Sequence, residues 1–313
     1  MSTQIPELFL GHYSFTFEAI DLVNLPALSD PLRRSVFGLA LHQQSCITPD
    51  TDCPTCMLRH QCDFSFFIKG SRPPQSEMMR KIPTIPLPHI FHSDQNGEAL
   101  IQPGELFSHG LIVVGSACKR LPVVIEAMKK SGQLGFGSKR QQAKLVQVCQ
   151  HLPGEQQYLL MDQQGIVQES MAHEPVIPPA PKAVRMQFLT PYIPSDKTFS
   201  PNSLQMERLL MTVVRRVSLL QYFYMGQPLE ADFRQLKELA IQTKITQVNL
   251  QRQKETCWSA RQQRQVNFLG FRGTLDFSLE NIEVFWPFLY LGQWLHLGKQ
   301  SSKGFGRYQL LAR

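Results

Sequence analysis

Apolar positions along the chain recur either at alternate residues or at spacings of three and four, and they predict a string of short strands and helices. In Leu8–Ile20 the residues Phe9, Tyr13, Phe15 and Phe17 are mostly alternate and β-favouring, which predicts a strand. After a proline-bounded turn (Pro26, Pro31), Leu32–Gln44 carries Leu32, Val36, Leu39 and Leu41 and predicts a helix. Phe64, Phe66, Phe67 and Ile68 suggest a second strand, followed by a proline-rich connection over Arg72–Pro88. Glu105–Ala117 contains Leu111-Ile-Val-Val and predicts a strong strand; Pro122–Lys130 predicts a short helix, with proline tolerated in its first turn. The glycine-containing loop Ser131–Arg140 then leads into a strand over Ala143–Val148, and Pro153–Val167 suggests a trailing hairpin.

The second half repeats the theme. Val184–Thr190 predicts a strand and Ser203–Tyr224 a helix, with Met206, Leu209, Leu210, Val213, Val217 and Leu220 on one stripe. Leu236–Ile241 suggests a further helix, Thr246–Trp258 and Gln263–Phe277 a pair of strands, and Ile282–Leu297 an apolar helix. A second glycine-rich stretch, from Gly298 to Arg307, feeds a last strand over Tyr308–Leu311. Each half therefore reads as a βαββαβ unit ending in helix, basic glycine loop and strand. The expected fold class is α+β: two tandem ferredoxin-like domains, residues 1–174 and 183–313, joined by a proline-rich linker over 175–182.

Composition narrows the class. The 313 residues are 42% hydrophobic and 10% aromatic, enough to fill cores and too apolar for wholesale disorder. No stretch approaches the roughly 18 apolar residues of a membrane helix, and the first residues lack the pattern of a secretory leader, so a cytoplasmic protein with no membrane partner is expected. The net charge of +7 is unevenly spread: Lys119–Lys144 holds seven basic residues against Glu126 alone, and 251–313 holds nine against four acids. Basic residues beside glycines suit a polyanion. The second loop is no Walker loop, because Gly292 lies six residues before Gly298 and Gln300 stands where Ser or Thr would bind magnesium.

Of the seven cysteines, four crowd together as Cys46-x6-Cys53-x2-Cys56-x5-Cys62. Four thiols on one short loop suit a structural tetrahedral zinc, so the first domain is expected to carry a four-cysteine metal-binding insertion over 46–62. An iron–sulfur cluster takes the same donors, and an empty loop is the remaining reading.

Several stretches carry a family resemblance. Val184-Arg-Met-Gln-Phe-Leu-Thr-Pro, Arg215-Arg216, Phe268-Leu-Gly-Phe-Arg-Gly273 and the closing run Phe288–Tyr308 resemble the C-terminal domain of the CRISPR-associated endoribonucleases that process precursor CRISPR RNA. Those enzymes belong to the repeat-associated mysterious protein (RAMP) superfamily. Leu32-Arg-Arg-Ser-Val-Phe-Gly-Leu-Ala-Leu-His, the four cysteines and Gly132–Lys144 are similar to a branch of the same family. The resemblance implies metal-independent cleavage within CRISPR repeats by the ribose 2′-OH, leaving a 2′,3′-cyclic phosphate and a 5′-OH, with the product retained in an effector complex. It also implies His42, late in the first helix, as the proton carrier, since histidine is the side chain that titrates near neutrality. Tyr13 is a candidate second group, and His12, His89, His92 and His109 are alternatives to His42. For RNA the resemblance implies Arg33 and Arg34 on the phosphate, Gly135, Gly137, Lys139 and Arg140 in the first loop, and Gly298, Lys299, Ser301, Ser302, Lys303, Gly304, Gly306 and Arg307 in the second. A non-catalytic subunit that only binds CRISPR RNA is the competing reading.

Overall fold

In the computed structural model every residue is described except 1–3, 83, 94–96, 155, 167, 196–199, 202–203 and 260–263. The chain divides into two compact units, one built on Leu10–His173 and the other on Glu174–Cys257 with Val266–Arg313.

The first unit runs β1 (Leu10–Ala19), β2 (Val23–Leu25), α1 (Asp30–Ser45), β3 (His89–His92), β4 (Ala99–Ile101), β5 (Leu106–Val114), α2 (Leu121–Leu134), β6 (Ala143–His151), β7 (Gln157–Asp162) and β8 (Gly165–Ile166). Its antiparallel sheet has the order β3-β5-β1-β6-β7-β8, while β2 and β4 form a separate ribbon. The four central strands, with α1 and α2 as crossovers, give the ferredoxin-like βαββαβ order, and β7 and β8 extend it as the trailing hairpin. Alternation places Tyr13, Phe15 and Phe17 in the core, where α1 contributes Val36, Phe37, Ala40 and Leu41. The rings of Phe37 and Phe91 lie 5.5 Å apart across that layer.

The second unit runs β9 (Ala183–Tyr192), α3 (Met206–Met225), α4 (Phe233–Ile241), β10 (Ile245–Ser259), β11 (Arg264–Ser278), α5 (Trp286–Leu295) and β12 (Tyr308–Ala312). Its sheet order, β10-β11-β9-β12, repeats the arrangement of the first unit. The expected pair of ferredoxin-like folds is therefore present. Trp286 Nε1 donates to the Pro178 carbonyl at 2.6 Å, tying the proline-rich segment to the start of α5.

Three elements differ from the sequence expectation. Phe64–Ile68 is no strand: Ser65–Lys69 forms one π-helical turn, closed by left-handed Gly70. Its backbone groups bond locally, with Phe66 N donating to Cys62 O and Gly70 N to Ser65 O, and Phe64 and Phe67, three residues apart, both face inward. A short apolar run without a period fits either element, and here the edge strand is supplied by His89–His92 instead. The helix α2 continues past Lys130 to Leu134, and within that extension Gly132 packs where a Cβ would meet the Ala143 carbonyl oxygen at 2.2 Å. The apolar helix begins only at Trp286, after a 3-10 turn over Glu283–Phe285. Among the described residues, no helix is long and apolar enough to cross a membrane.

Candidate active site and nucleic-acid interface

The C-terminal loop is a folded cradle. His296, Gly298, Gln300, Gly304 and Gly306 all take positive φ, which reverses the chain repeatedly between α5 and β12. Backbone hydrogen bonds close the turns: Leu297 N donates to Gly306 O (2.9 Å), Gly306 N to Pro191 O (3.0 Å) and Lys299 N to Ile193 O (2.8 Å). Thr190 Oγ1 donates to Gly304 O at 2.7 Å and accepts from Arg307 N at 2.9 Å.

Two buried groups support the cradle. Arg216 Nε donates to the Leu295 carbonyl at 2.7 Å, satisfying the end of α5, and burial lowers its pKa to about 10, so it stays cationic. His296 is 2% exposed, and burial, with Arg307 and Arg216 nearby, holds it neutral, well below the ordinary histidine value. Arg216 lies on α3, eighty residues away in sequence, and only the fold brings it under the loop.

The outward side of the loop is cationic. Lys299 is exposed, Lys303 and Arg307 are half-buried, and Lys303 Nζ sits 5.3 Å over the Phe268 ring. Gln300 is exposed, Ser302 and Gly298 half-buried. Ser301, Gly304 and Gly306 are buried. These three shape the turn, and Ser301 does not offer the expected hydroxyl to RNA, because the turn over Ser301–Lys303 folds it inward.

The N-terminal loop is shorter. Gly135 (φ +79°) and Gly137 (φ +74°) turn the chain, and Phe136 and Gln141 exchange both backbone hydrogen bonds, at 2.7 and 2.9 Å. Lys139 and Arg140 in this loop are exposed, as is Lys144 at the start of β6.

His42 occupies the last turn of α1, half-buried, and its carbonyl accepts from Cys46 N at 2.9 Å. Its ring meets the Phe64 ring edge-on at 4.6 Å, and Lys69 Nζ lies 5.4 Å from the same Phe64 ring. Arg120, paired with Asp63, stacks over Phe66 at 4.1 Å. No local pattern predicts that Lys69 and His42 meet the same Phe64 ring, since that placement depends on the π turn.

The remaining candidates fall inside the unit. Arg33 is 2% exposed, faces Asp30 at 4.0 Å, and has its pKa lowered to about 10 by desolvation. It is an interior cation, not a phosphate contact: position 33 falls on the buried face of α1 with Val36, Phe37 and Ala40. Arg34 donates through Nη2 to Ile68 O at 3.4 Å, so it braces α1 against the π turn. Tyr13 is fully buried, hydrogen-bonded to Ser170 at 2.5 Å, with its pKa pushed above the ordinary range by burial, and it is excluded as a proton carrier. His89, His92 and His109 are likewise buried; His12 is half-buried.

Cys46, Cys53, Cys56 and Cys62 are half-buried free thiols that line a single cavity of about 200 Å³, together with Thr48, Arg59 and Phe64. Thr48 Oγ1 lies 3.5 Å from Cys56 Sγ. Among the described residues, no three Cys, His, Asp or Glu side chains converge closely enough to hold an ion as they stand. The donor set itself, four thiols around one cavity, suits a soft divalent ion.

With this geometry in place, the profile of the CRISPR-associated endoribonuclease Cas6 matches residues 186–308, which span β9 to the first residue of β12 and include the whole C-terminal cradle. That C-terminal stretch is similar to the Cas6 endoribonucleases. A second profile, the AF_1859_N N-terminal domain, matches residues 8–175. No curated protein matches the sequence. Among solved structures, a Cas6 product complex shares 14% identity at a TM-score of 0.53, over 97% of this chain and 99% of that one. The partial Cas6-RT-Cas1–Cas2 complex shares 12% identity at a TM-score of 0.56, over 100% of this chain and 47% of that one. A further Cas6-RT-Cas1–Cas2 complex is matched over 30% of its chain. This chain thus spans less than half the length of those two Cas6-RT-Cas1–Cas2 chains. At such identities the likeness to these Cas6 structures is one of fold.

Proposed function

We propose that this protein is an endoribonuclease that cuts precursor CRISPR RNA within its repeats. The observation that carries the reading is the Cas6 profile falling on a closed backbone cradle that leaves Lys299 exposed, with Lys303 and Arg307 half-buried beside it. Such a surface fits an RNA phosphate chain, and Lys139 and Arg140 of the first loop offer a second cationic rim.

Cleavage is a transesterification. The 2′ oxygen bonds to phosphorus, the P–O5′ bond breaks, the 2′-OH loses a proton and the 5′ oxygen gains one. The products are a 2′,3′-cyclic phosphate and a 5′-OH. We assign His42 as the donor to the 5′ oxygen, with no metal in the chemistry; Phe64 fixes the plane of its ring. The protein then holds the hairpin of its product and hands it to other CRISPR protein subunits. Cas6 structures bearing RNA product, and those joined to Cas1 and Cas2, make that class of partner a natural one. Its expected compartment is the cytoplasm, where precursor RNA is made.

The test is a brief reaction of the host's own repeat RNA in excess EDTA, comparing wild type with His42→Ala and mapping both product ends. The expected result is one discrete cut with a cyclic phosphate, slowed about 10²–10⁴-fold in the variant while RNA binding persists. Tight binding by wild type without any cut would establish a binding subunit instead. Normal cutting by the variant would remove His42 from the mechanism.

A further inference from the structure

The segment from Cys46 to Cys62 has little of its own to hold it. It contains neither helix nor strand; its backbone closes only in local turns, such as Thr55 N to Asp52 O and Cys62 N to Leu58 O. Its apolar side chains point outward, with Ile47 79% and Met57 96% exposed. Within it, Cys53 and Cys62 are the residues that pack on the hydrophobic core of the first unit, among the described residues. Ordering a loop of this length against its conformational entropy calls for a staple that hydrophobic burial does not supply. A reduced cytoplasm disfavours a disulfide in that role.

We infer that Cys46, Cys53, Cys56 and Cys62 bind one zinc ion and that this ion is a clasp for His42. All four cysteines line one cavity, so the donors of a tetrahedral thiolate site share one enclosure. A cavity of about 200 Å³ accommodates an ion with four Zn–S bonds of about 2.3 Å. Binding releases the thiol protons to solvent, no electron moves, and four thiolates on a divalent ion leave two net negative charges. Arg59 lines the same cavity, and its guanidinium, which donates to Pro54 O and to His60 Nε2, adds a positive charge within the loop. With four protein donors the site has no open position for water, so the ion is structural.

The two ends of the segment explain the coupling. Cys46 directly follows α1 and its N–H bonds the His42 carbonyl; Cys62 stands two residues before Phe64, whose ring meets that of His42. Joining Cys46 and Cys62 through one ion therefore closes a ring around the His42–Phe64 contact. The four cysteines are positioning residues, and this part of the inference rests on the proposed role of His42.

The experiment has two arms. In the first, full-length protein purified without chelator is analysed for metal by mass spectrometry, and apo protein is titrated with Co²⁺. One zinc per chain, and the visible bands of tetrahedral cobalt thiolate, are expected in wild type and absent in C53S/C56S. Wild type that takes up neither ion overturns the site, as does iron with acid-labile sulfide in place of zinc. This arm needs no RNA, so it stands whether or not the chain cuts.

In the second arm, wild-type protein is stripped and reloaded, which keeps the test sound if the variant does not fold. Acylation of His42 by diethylpyrocarbonate, mapped by peptide mass, is expected to rise on stripping and to fall again on reloading. The cleavage rate at saturating RNA is expected to drop about 10²-fold while the RNA Kd holds. Unchanged His42 labelling, or an unchanged rate in the stripped protein, would overturn the clasp.

Discussion

Replacing Gly306 by alanine tests whether the closed C-terminal cradle is the form that binds RNA. Gly306 has φ +71°, and an added Cβ would sit 1.8 Å from the Leu297 carbonyl oxygen. The left-handed backbone costs an L residue about 1 kcal/mol, and forcing a methyl against fixed backbone about 3 more, so holding the loop closed costs about 4 kcal/mol. Opening the pinch is cheaper. It gives up the Leu297–Gly306 and Gly306–Pro191 backbone hydrogen bonds. At about 1 kcal/mol each, that is about 2 kcal/mol. The variant should therefore rest open, lowering the Tm of the second unit by about 6–10 °C. Closing on RNA then requires the remaining 2 kcal/mol or so, which weakens binding about 30-fold. Gly137→Ala is the control: φ is +74°, but the nearest atom to its Cβ is Gln141 Oε1 at 3.6 Å. It should lose about 1 kcal/mol and no more than about fivefold in affinity. The assay is repeat-RNA binding at fixed salt beside thermal unfolding. If Gly306→Ala lowers Tm yet binds RNA as wild type does, the cradle is not the RNA contact. If Gly137→Ala falls as far as Gly306→Ala, the steric argument is wrong.

Two further outcomes follow from the electrostatics. Lys299→Ala should flatten the dependence of log K on log salt by about 0.7, one single-strand phosphate, whereas Ser301→Ala should leave the slope unchanged because Ser301 is buried; equal slopes for Lys299→Ala and wild type would remove Lys299 from the interface. His109, buried against Arg33, and His296, buried against Arg216 and Arg307, are both held neutral in the fold. The unfolded chain binds their protons from about pH 6.5 downward, so stability is intact above that pH and falls below it, by up to about 1.4 kcal/mol per pH unit for each histidine. Thermal unfolding between pH 7.5 and 5 checks this, and a Tm that does not move would contradict the burial of both rings.

Local pattern alone determined the architecture and its chemistry-bearing segments. Strict alternation through Tyr13, Phe15 and Phe17 and the stripe from Met206 to Leu220 each report one-sided burial, and the glycine–lysine composition of 298–307 announces a tight, basic turn. The four-cysteine spacing likewise brought its thiols to one cavity. What the tertiary structure alone decided concerns residues whose setting is made by distant partners. Phe64–Ile68 has no period, so only the competition with His89–His92 for the sheet edge settles it as a helical turn. Arg33 and Arg34 are adjacent and alike in sequence, yet one faces Asp30 in the interior and the other braces the π turn. Arg216 and the Phe64–Lys69 turn reach their places under the cradle and beside His42 through contacts dozens of residues apart. Periodicity encodes which face of an element is buried; it carries no information about which element arrives to cover that face, and the surroundings of His42 and of the C-terminal loop are set by that arrival.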